Sequence, residues 1–459
     1  MRIVVVGAGP TGLFLGMTLA RRGHGVTVVD RDRGPRPDGS WPRRGVMQFH
    51  HPHAFRAQVV EALQAELPDT WDALLAAGAE PMMAPTGPDG PGELMGIRCR
   101  RLVFERVLRA AAAREPGLTL RVGHVDGVTT DRGHVTGVRV DGHSLEADLV
   151  VVASGRAGRL GRDLRAPARG GDCGIAYVSR QYRLHPGAEP GPMNSPLEQL
   201  DFYPGYHAIV FPHDNGIFST LVARASNDRS FEPLRLPEVF DTAARAIPAL
   251  AAWTDPDRAR PVTTVLPGGR LHNTYRGQLD DTGAVPLPRL VFVGDSVCTT
   301  NPTLGRGVAT SLLQARALLR LLEEHPHDLA DATLAFDRWC TDNVAPWFAD
   351  HVYCDTEQTR RWAGADVDLT RPLPSDLIVA AAMGADPSLL PLIGPYLGMR
   401  ALPASLNDVQ PRVRQIYADG WRPPVPDGPT RDELANLIAG YAQTDPAGPG
   451  PAARLASPV

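Results

Sequence analysis

The sequence contains no lysine, and all 47 of its Lys or Arg positions are arginine. Mechanisms that depend on an ε-amine are therefore excluded. These include Schiff-base catalysis and nucleotide binding by a P-loop, whose lysine contacts the phosphates. The chemistry of this chain has to come from other side chains, from the backbone or from a bound cofactor.

Cysteine is also scarce. The five cysteines are odd in number, widely spaced and without a Cys-x-x-Cys pair. This pattern argues against a disulfide framework and against a structural zinc site. The five positions are Cys99, Cys173, Cys298, Cys340 and Cys354.

Long apolar runs and a strong net charge are absent as well. No run approaches the roughly 20 residues of a membrane span, and the formal charge is only -4. We therefore expect no nucleic-acid partner and no stable membrane anchoring. The apolar stretch at residues 1–6 is too short for a signal peptide, which predicts a cytoplasmic protein. The 459 residues suggest about two or three domains and a small-molecule substrate.

The first thirty residues predict a strand, a helix and a second strand. Residues 3–6 are apolar, residues 13–22 have helical spacing, and residues 26–29 form a β-branched run. The turn between the first strand and the helix reads Gly7-Ala8-Gly9-Pro10-Thr11-Gly12, a G-x-G-x-x-G fingerprint for a dinucleotide. In that motif the first glycine permits the tight turn, the second admits the diphosphate, and the third lets the helix pack closely.

Asp30 ends the second predicted strand, eighteen residues after Gly12. A carboxylate there accepts hydrogen bonds from ribose hydroxyls and repels a 2'-phosphate, which favours FAD or NAD over NADP. The fingerprint alone does not separate FAD from NAD.

A second motif, GDSVCTTNPTLGRG at residues 294–307, follows another short apolar strand. Asp295 is suited to a ribityl hydroxyl, and the glycines allow backbone to lie against a flat ring. The dipole of the helix that follows would stabilise negative charge on a reduced flavin. A plain strand, turn and helix with a capping aspartate is the alternative.

Together these motifs resemble the FAD-dependent aromatic hydroxylase superfamily, the family of para-hydroxybenzoate hydroxylase. The resemblance covers roughly residues 1–322. Within the superfamily, the 43–53 segment, the helix start at Arg101 and Ser154-Gly155-Arg156 are most similar to the actinomycete polyketide and polyether epoxidases.

The resemblance and the predicted elements together imply an α/β fold of three parts. A discontinuous Rossmann-like FAD-binding domain takes residues 1–165 and 286–325, and an inserted antiparallel-sheet domain over the substrate takes residues 166–285. Residues 326–441 form a helical C-terminal region, and the Pro/Gly/Ala-rich residues 442–459 are expected to be a disordered tail.

The motifs and the resemblance imply one set of FAD contacts. By resemblance, Arg101 faces the FAD and Val125 opens a turn at the adenine. The complete set is Gly7, Gly9, Pro10, Thr11, Gly12, Asp30, Arg31, Arg43, Gln48, Arg101, Val125, Asp295, Pro302, Gly305, Gly307 and Val308.

The predicted substrate wall is less specific, because it depends on alternate positions of predicted strands facing the flavin. Core packing is the alternative role for each of its residues. The wall positions are Tyr203, Tyr206, His207 and Phe211.

The chain departs from the superfamily at two points. The usual Asp-Gly after the third strand, linked to FAD and NADPH handling, is Ser154-Gly155 here. Direct reduction by NAD(P)H is therefore in doubt, and a separate flavin reductase is the other route. The epoxidase continuation Gly-Arg-Gly-Ser reads Gly155-Arg156-Ala157-Gly158. Flavin halogenases share the fold, but the missing lysine and the absent Trp-x-Trp-x-Ile-Pro segment count against that branch.

His50, His51 and His53 could bind a metal, act in acid–base catalysis or simply hold a polar loop. No carboxylate lies near them in the sequence, so we predict no metal site. Arg101 and Glu105, at i,i+4 spacing, could form only an exposed ion pair.

The expected reaction is the insertion of one oxygen atom from O2 into an alkene or an electron-rich ring. By resemblance it proceeds through a flavin C4a-hydroperoxide and requires no catalytic triad or metal. The alternatives are an FAD-dependent dehydrogenase or reductase, a flavin-assisted cyclase without net oxygenation, and a non-enzymatic FAD-binding regulator.

Overall fold

The computed structural model describes residues 1–43, 45–84 and 92–444, and elements are numbered here within those ranges. The strands are β1 (Arg2–Val6), β2 (Gly25–Asp30), β3 (Ala54–Arg56), β4 (Glu80–Met83), β5 (Leu94–Arg98), β6 (Leu118–Val122), β7 (Val125–Asp131), β8 (His134–Val140), β9 (His143–Glu146), β10 (Leu149–Val152), β11 (Arg169–Asp172), β12 (Ile175–Leu184), β13 (Gln199–Tyr203), β14 (Tyr206–Pro212), β15 (Ile217–Ala225), β16 (Ala259–Pro261), β17 (Leu266–Gly268), β18 (His272–Tyr275), β19 (Leu290–Phe292) and β20 (Cys298–Thr299).

The helices of the same ranges follow in chain order. They are α1 (Pro10–Arg21), α2 (Ala57–Glu66), α3 (Pro68–Ala76), α4 (Arg101–Ala112), α5 (Pro237–Ala246), α6 (Pro248–Thr254), α7 (Gly307–Glu324), α8 (Leu329–Asn343), α9 (Ala345–Trp362), α10 (Ser375–Gly384), α11 (Leu390–Leu397), α12 (Gln410–Ala418) and α13 (Arg431–Thr444). None of them is long and apolar enough to cross a membrane.

A five-stranded parallel sheet in the order β19-β10-β1-β2-β6 forms the centre of the molecule. Val4 of β1 lies opposite Val150 of β10 and Thr27 of β2. Strands β1 and β10 are almost wholly apolar because elements packed on the sheet bury them. Helices α1 and α7 share this core with the meander β7-β8-β9. The predicted mixed α/β class with a Rossmann-like core is confirmed.

The second large sheet is antiparallel, in the order β13-β14-β15-β12-β16, with β17 also paired to β12. Successive side chains of β14 point to opposite faces, as the strand period of two requires. Tyr206, Ala208 and Val210 lie in a core that also contains residues of α5 and α6, whereas Ile209 and Phe211 lie in a smaller apolar cluster. One face of the sheet therefore packs against α5 and α6. The opposite face carries the smaller cluster, against which Met47 packs.

Two details differ from the sequence-based expectations. The single helix expected around residues 59–77 is two helices, because Leu67 leaves the helical conformation and Pro68 begins a new one. Strands β3, β4 and β5 form a small sheet that no sequence pattern indicated.

The C-terminal helices α8 to α12 pack onto the core of the first domain. The last helix is different, because Leu434 and Ile438 of α13 join Phe240 of α5 in the core of the sheet domain. This helix continues to Thr444, three residues into the segment expected to be a tail, and residues 445–459 lie outside the described residues. The C-terminal region therefore covers both domains.

Candidate active site

A cavity of about 830 Å³ opens at the carboxyl ends of the central parallel strands. Val6, Asp30, Ala153 and Val293, each at or just after the end of a strand, contribute to its wall. This edge is where open α/β sheets bind their ligands, because the loops and helix N-termini converge there.

The cavity wall contains every predicted FAD contact except Gly12. The structure therefore brings together two motifs that lie almost 300 positions apart in the chain. Gly12 is excluded because it faces the turn: a Cβ there would lie 1.8 Å from the carbonyl oxygen of Gly7.

The first glycine turn is held by its own backbone and by Asp30. Gly7 has φ +112° and donates its N–H to Val29, at 2.8 Å. The Asp30 carboxylate accepts hydrogen bonds from the backbone N–H of Ala8, at 2.6 Å, and of Asp32, at 2.8 Å. Asp30 therefore braces the turn, a role that the sequence analysis did not include.

Glu105 organises a buried ionic cluster under this turn. Its side chain is fully buried and accepts hydrogen bonds from Arg43 Nε, at 3.0 Å, and Arg101 Nε, at 2.6 Å. Arg43 also donates to the carbonyl of Ala8, at 3.1 Å. The suggestion that Arg101 and Glu105 form only an exposed pair is wrong, because α4 turns this face towards the cavity and the core. Glu105 was missed as a site residue, although its i,i+4 spacing from Arg101 was the available signal.

The second motif presents a glycine turn and a carboxylate to the same cavity. Gly305 has φ +62°, a conformation that favours glycine, and it ends the short turn Pro302–Leu304. Asp295 is exposed to the open space of the cavity, which the protein encloses. Burial raises the pKa of its carboxyl, and the nearby positive charges of Arg101 and Arg156 oppose this shift. Helix α7 begins at Gly307, so its positive end lies at the wall.

A buried network fixes the start of this loop from the C-terminal helices. The carboxylate of Asp355 in α9 accepts hydrogen bonds from the side-chain amides of Asn301, at 3.0 Å, and Asn273, at 2.6 Å. Asn273 Oδ1 in turn accepts the backbone N–H of Asn301, at 2.6 Å. Asp355 and Asn273 carry no sequence signal of their own, because their partners are 28 to 82 positions away along the chain.

Burial raises the pKa of Asp355 from 3.8 to about 6, although both amides oppose the shift. The folded protein therefore holds this proton at pH values where the unfolded chain has released it. The contribution of Asp355 to the free energy of unfolding consequently falls as pH rises from about 4 to about 6.

We expect Asp355→Asn to remove this pH dependence. The free energy of unfolding of the variant minus that of the wild type should be about 2 kcal/mol larger at pH 7.5 than at pH 4.5. Urea unfolding of both proteins at the two pH values measures the difference. The exposed Asp408, changed to asparagine, is the control. A variant whose offset from the wild type is the same at both pH values would contradict the assignment.

The three histidines prove to be neutral loop residues. His51 Nδ1 lies 2.8 Å from the hydroxyl of Ser179, and His53 Nδ1 lies 3.0 Å from the carbonyl of His51. Burial lowers the pKa of His51 to about 4 and that of His53 well below its usual range. Of the three, His53 lines the cavity. Within the described ranges, no group of three His, Cys, Asp or Glu residues is placed to hold a metal ion.

Three of the four residues predicted for the substrate wall lie away from the cavity wall. Tyr203 and Tyr206 stack on each other, with ring centroids 4.5 Å apart, in the core on the far face of the sheet. Their hydroxyls donate to the carbonyls of Asp427 and Pro429, at 2.8 and 2.7 Å. His207 packs against Trp362, away from the cavity wall.

Phe211 is the predicted wall residue that lines the cavity. It shares an apolar cluster with Leu271, Met47 and Tyr177. The side-chain amide of Gln48 lies 2.7 Å from the Tyr177 hydroxyl, and burial raises the pKa of that hydroxyl. Met47, Phe211 and Leu271 thus give this part of the cavity wall an apolar surface, and Gln48 adds a side-chain amide.

The residues present fit FAD. A Cβ on Gly9 or Gly307 would meet nothing within 4 Å, which leaves room for a diphosphate and a flat ring close to the backbone. Asp30 and Asp295 offer carboxylates to sugar and ribityl hydroxyls. When bound, FAD would supply the redox chemistry at this site.

Comparison with protein families gives two matches. Residues 2–92 match the family model of FAD dependent oxidoreductases, and residues 96–168 match that of tryptophan halogenase. Both matched segments contribute to the cavity wall.

Curated relatives and solved structures also include FAD-dependent and flavin-dependent enzymes. The chain is 27% identical over 360 residues to Protein Rv3254 of Mycobacterium tuberculosis, covering 70% of this chain and 72% of the relative. It is 27% identical over 365 residues to kynurenine 3-monooxygenase of Salinispora arenicola, covering 73% and 75%. The solved structure of the flavin-dependent brominase Bmp2 shares the fold, with a TM-score of 0.60, 14% identity, and coverage of 97% of this chain and 100% of that one. With two FAD motifs on one cavity, the chain is similar to FAD-dependent oxidoreductases and to flavoprotein monooxygenases, and these matches support FAD as its cofactor.

Proposed function

We propose that this monooxygenase inserts one oxygen atom of O2 into an apolar small molecule, polyketide-like or aromatic, by epoxidation or hydroxylation. The observation that carries the proposal is the continuity of one cavity. Its FAD motifs, represented by Gly9 and Asp295, and the apolar residues Phe211 and Leu271 line the same space. A substrate there would lie next to the cofactor and be shielded from water on the sheet side.

The side chains on the cavity wall orient and enclose the substrate and do not themselves react with it. Phe211, Leu271 and Met47 exclude water, while Gln48, held by the hydroxyl of Tyr177, offers an amide to a polar substrate atom. The positive end of α7 stabilises negative charge that develops on the cofactor side. Shielding of this kind favours transfer of oxygen to the substrate over release of peroxide.

The source of electrons is the second part of the proposal. NAD(P)H is the expected reductant, acting directly or through a separate flavin reductase. The chain has no second dinucleotide fingerprint, and Ser154 stands where the superfamily commonly has an acidic residue. These two features favour a separate reductase as partner, in the cytoplasmic setting that the sequence suggests.

Labelled oxygen tests the reaction. The FAD-loaded protein is reduced by NADPH alone and by NADPH with a flavin reductase, then mixed with ¹⁸O2 and candidate polyketide or aromatic substrates. We expect one labelled oxygen atom in the product, and faster reduction when the reductase is present. Stoichiometric peroxide with unlabelled product would indicate an oxidase or dehydrogenase, and turnover without oxygen uptake would indicate a cyclase or isomerase.

Halogenation is a further outcome of the same experiment. The match of residues 96–168 to the tryptophan halogenase family model favours a test with bromide and chloride. The complete absence of lysine opposes it, because a halogenase-type catalytic lysine has no counterpart in this chain. A halogenated product would overturn the monooxygenase proposal, and a protein that takes up no FAD would overturn it entirely.

A further inference from the structure

The loop that follows β10 places three arginines at the mouth of the cavity. Arg156, Arg159 and Arg162 are exposed and contribute to the cavity wall. They are not part of the predicted FAD set.

None of these three guanidinium groups forms a direct ion pair among the described residues, although Arg156 lies near the carboxylate of Asp295. Arg156 donates to the carbonyl of Arg270, at 3.5 Å, and reaches the sulfur of Met47, at 3.9 Å. Arg162 donates to the carbonyls of Arg156, at 3.3 Å, and Gly158, at 2.9 Å. Neutral carbonyls accept hydrogen bonds from Arg156 and Arg162, but they do not balance the positive charge of the two side chains.

Two further arginines add to the positive charge. Arg276 donates to the carbonyl of Arg162, at 2.5 Å, and Arg165 donates to that of Arg276, at 3.4 Å. Burial and the neighbouring arginines lower the pKa of both Arg165 and Arg276. Asp163 is the one acidic residue in this loop; it is exposed, lines the cavity and lies near Arg276. A chain with a formal charge of -4 thus concentrates positive charge at one opening.

The same opening borders the apolar part of the cavity. Met47, which Arg156 contacts, packs against the cluster that contains Phe211 and Leu271. A ligand held by Arg156 would therefore place an apolar body against that cluster. Exposed guanidinium groups next to an apolar wall suit an amphipathic acid, because they bind carboxylates through paired donors.

We propose that Arg156, Arg159 and Arg162 form the binding site for a carboxylate on the substrate, so that the enzyme acts on organic acids with an apolar body. This inference rests on the proposed function, because it places the acid in the cavity beside FAD. Its test is a binding measurement and requires no turnover.

Calorimetric titration of the FAD-loaded protein with benzoate, 2-naphthoate and biphenyl-4-carboxylate, each against its methyl ester, tests the site. We expect at least one acid to bind about tenfold more tightly than its ester. Arg156→Gln and Arg162→Gln should remove about that factor for the acid and leave the ester unchanged. Arg320→Gln, on the exposed face of α7, is the matched control.

Four results would overturn the proposal. Acids and esters could bind equally in the whole series, or the two variants could bind the acids as the wild type does. The variants could instead lose FAD affinity, which would assign the arginines to the diphosphate of the cofactor. Loss of NADPH-driven reduction with unchanged acid binding would assign them to the phosphates of the reductant. If the protein takes up no FAD, the proposed function fails, and the acid titration of the FAD-free chain still tests the arginines.

Discussion

Replacing Glu105 by alanine should destabilise the protein by about 3 to 5 kcal/mol and weaken FAD binding. The carboxylate is fully buried and pairs with Arg43 and Arg101 at 3.0 and 2.6 Å. Its removal takes this carboxylate from Arg101 and leaves Arg43 with only its longer contacts to Asp30 and Asp32, at 3.6 and 3.7 Å, next to the first glycine turn. Urea unfolding and a flavin fluorescence titration measure the two effects.

The chain contains a matched control for this experiment. Arg320 and Glu324 of α7 have the same i,i+4 spacing, but their side chains are 54% and 47% exposed. An exposed pair of this kind contributes about 0.3 to 0.5 kcal/mol, so Glu324→Ala should have little effect on either measurement. Equal effects of the two substitutions would show that the Glu105 cluster does not support the turn.

Gly12→Ala and Gly9→Ala should separate the two roles of the glycine turn. A Cβ on Gly12 would lie 1.8 Å from the Gly7 carbonyl oxygen, so α1 would have to move away from β1. We expect a loss of about 3 kcal/mol or more in the free energy of unfolding, together with loss of FAD binding.

Gly9 has an ordinary extended backbone, with φ -80° and ψ 179°, and a Cβ there meets no atom within 4 Å. Gly9→Ala should therefore change stability by less than about 1 kcal/mol. FAD binding should still weaken at least about tenfold, because the methyl group fills the space that the diphosphate needs. If Gly9→Ala binds FAD normally, the diphosphate does not approach this turn.

The position of Tyr206 shows why the substrate wall was predicted poorly. Alternation along β14 correctly indicates that Tyr206 and Phe211 point to opposite faces, because the strand period is two. It does not indicate which face packs against α5 and α13 and which faces the cavity. That choice depends on where a helix more than two hundred residues later in the chain docks, which leaves no local pattern.

The sequence by itself determined the βαβ opening, the FAD cofactor and the absence of lysine chemistry. Each follows from local spacing or composition: glycines in a tight turn, a carboxylate at a strand end, and a residue type that is missing. The tertiary structure alone decided that Glu105 is buried, that Asp355 holds the second FAD loop, and that Arg156 and Arg162 stand unpaired beside an apolar wall. Burial and ion pairing depend on which distant segments meet, and only the folded chain brings those segments together.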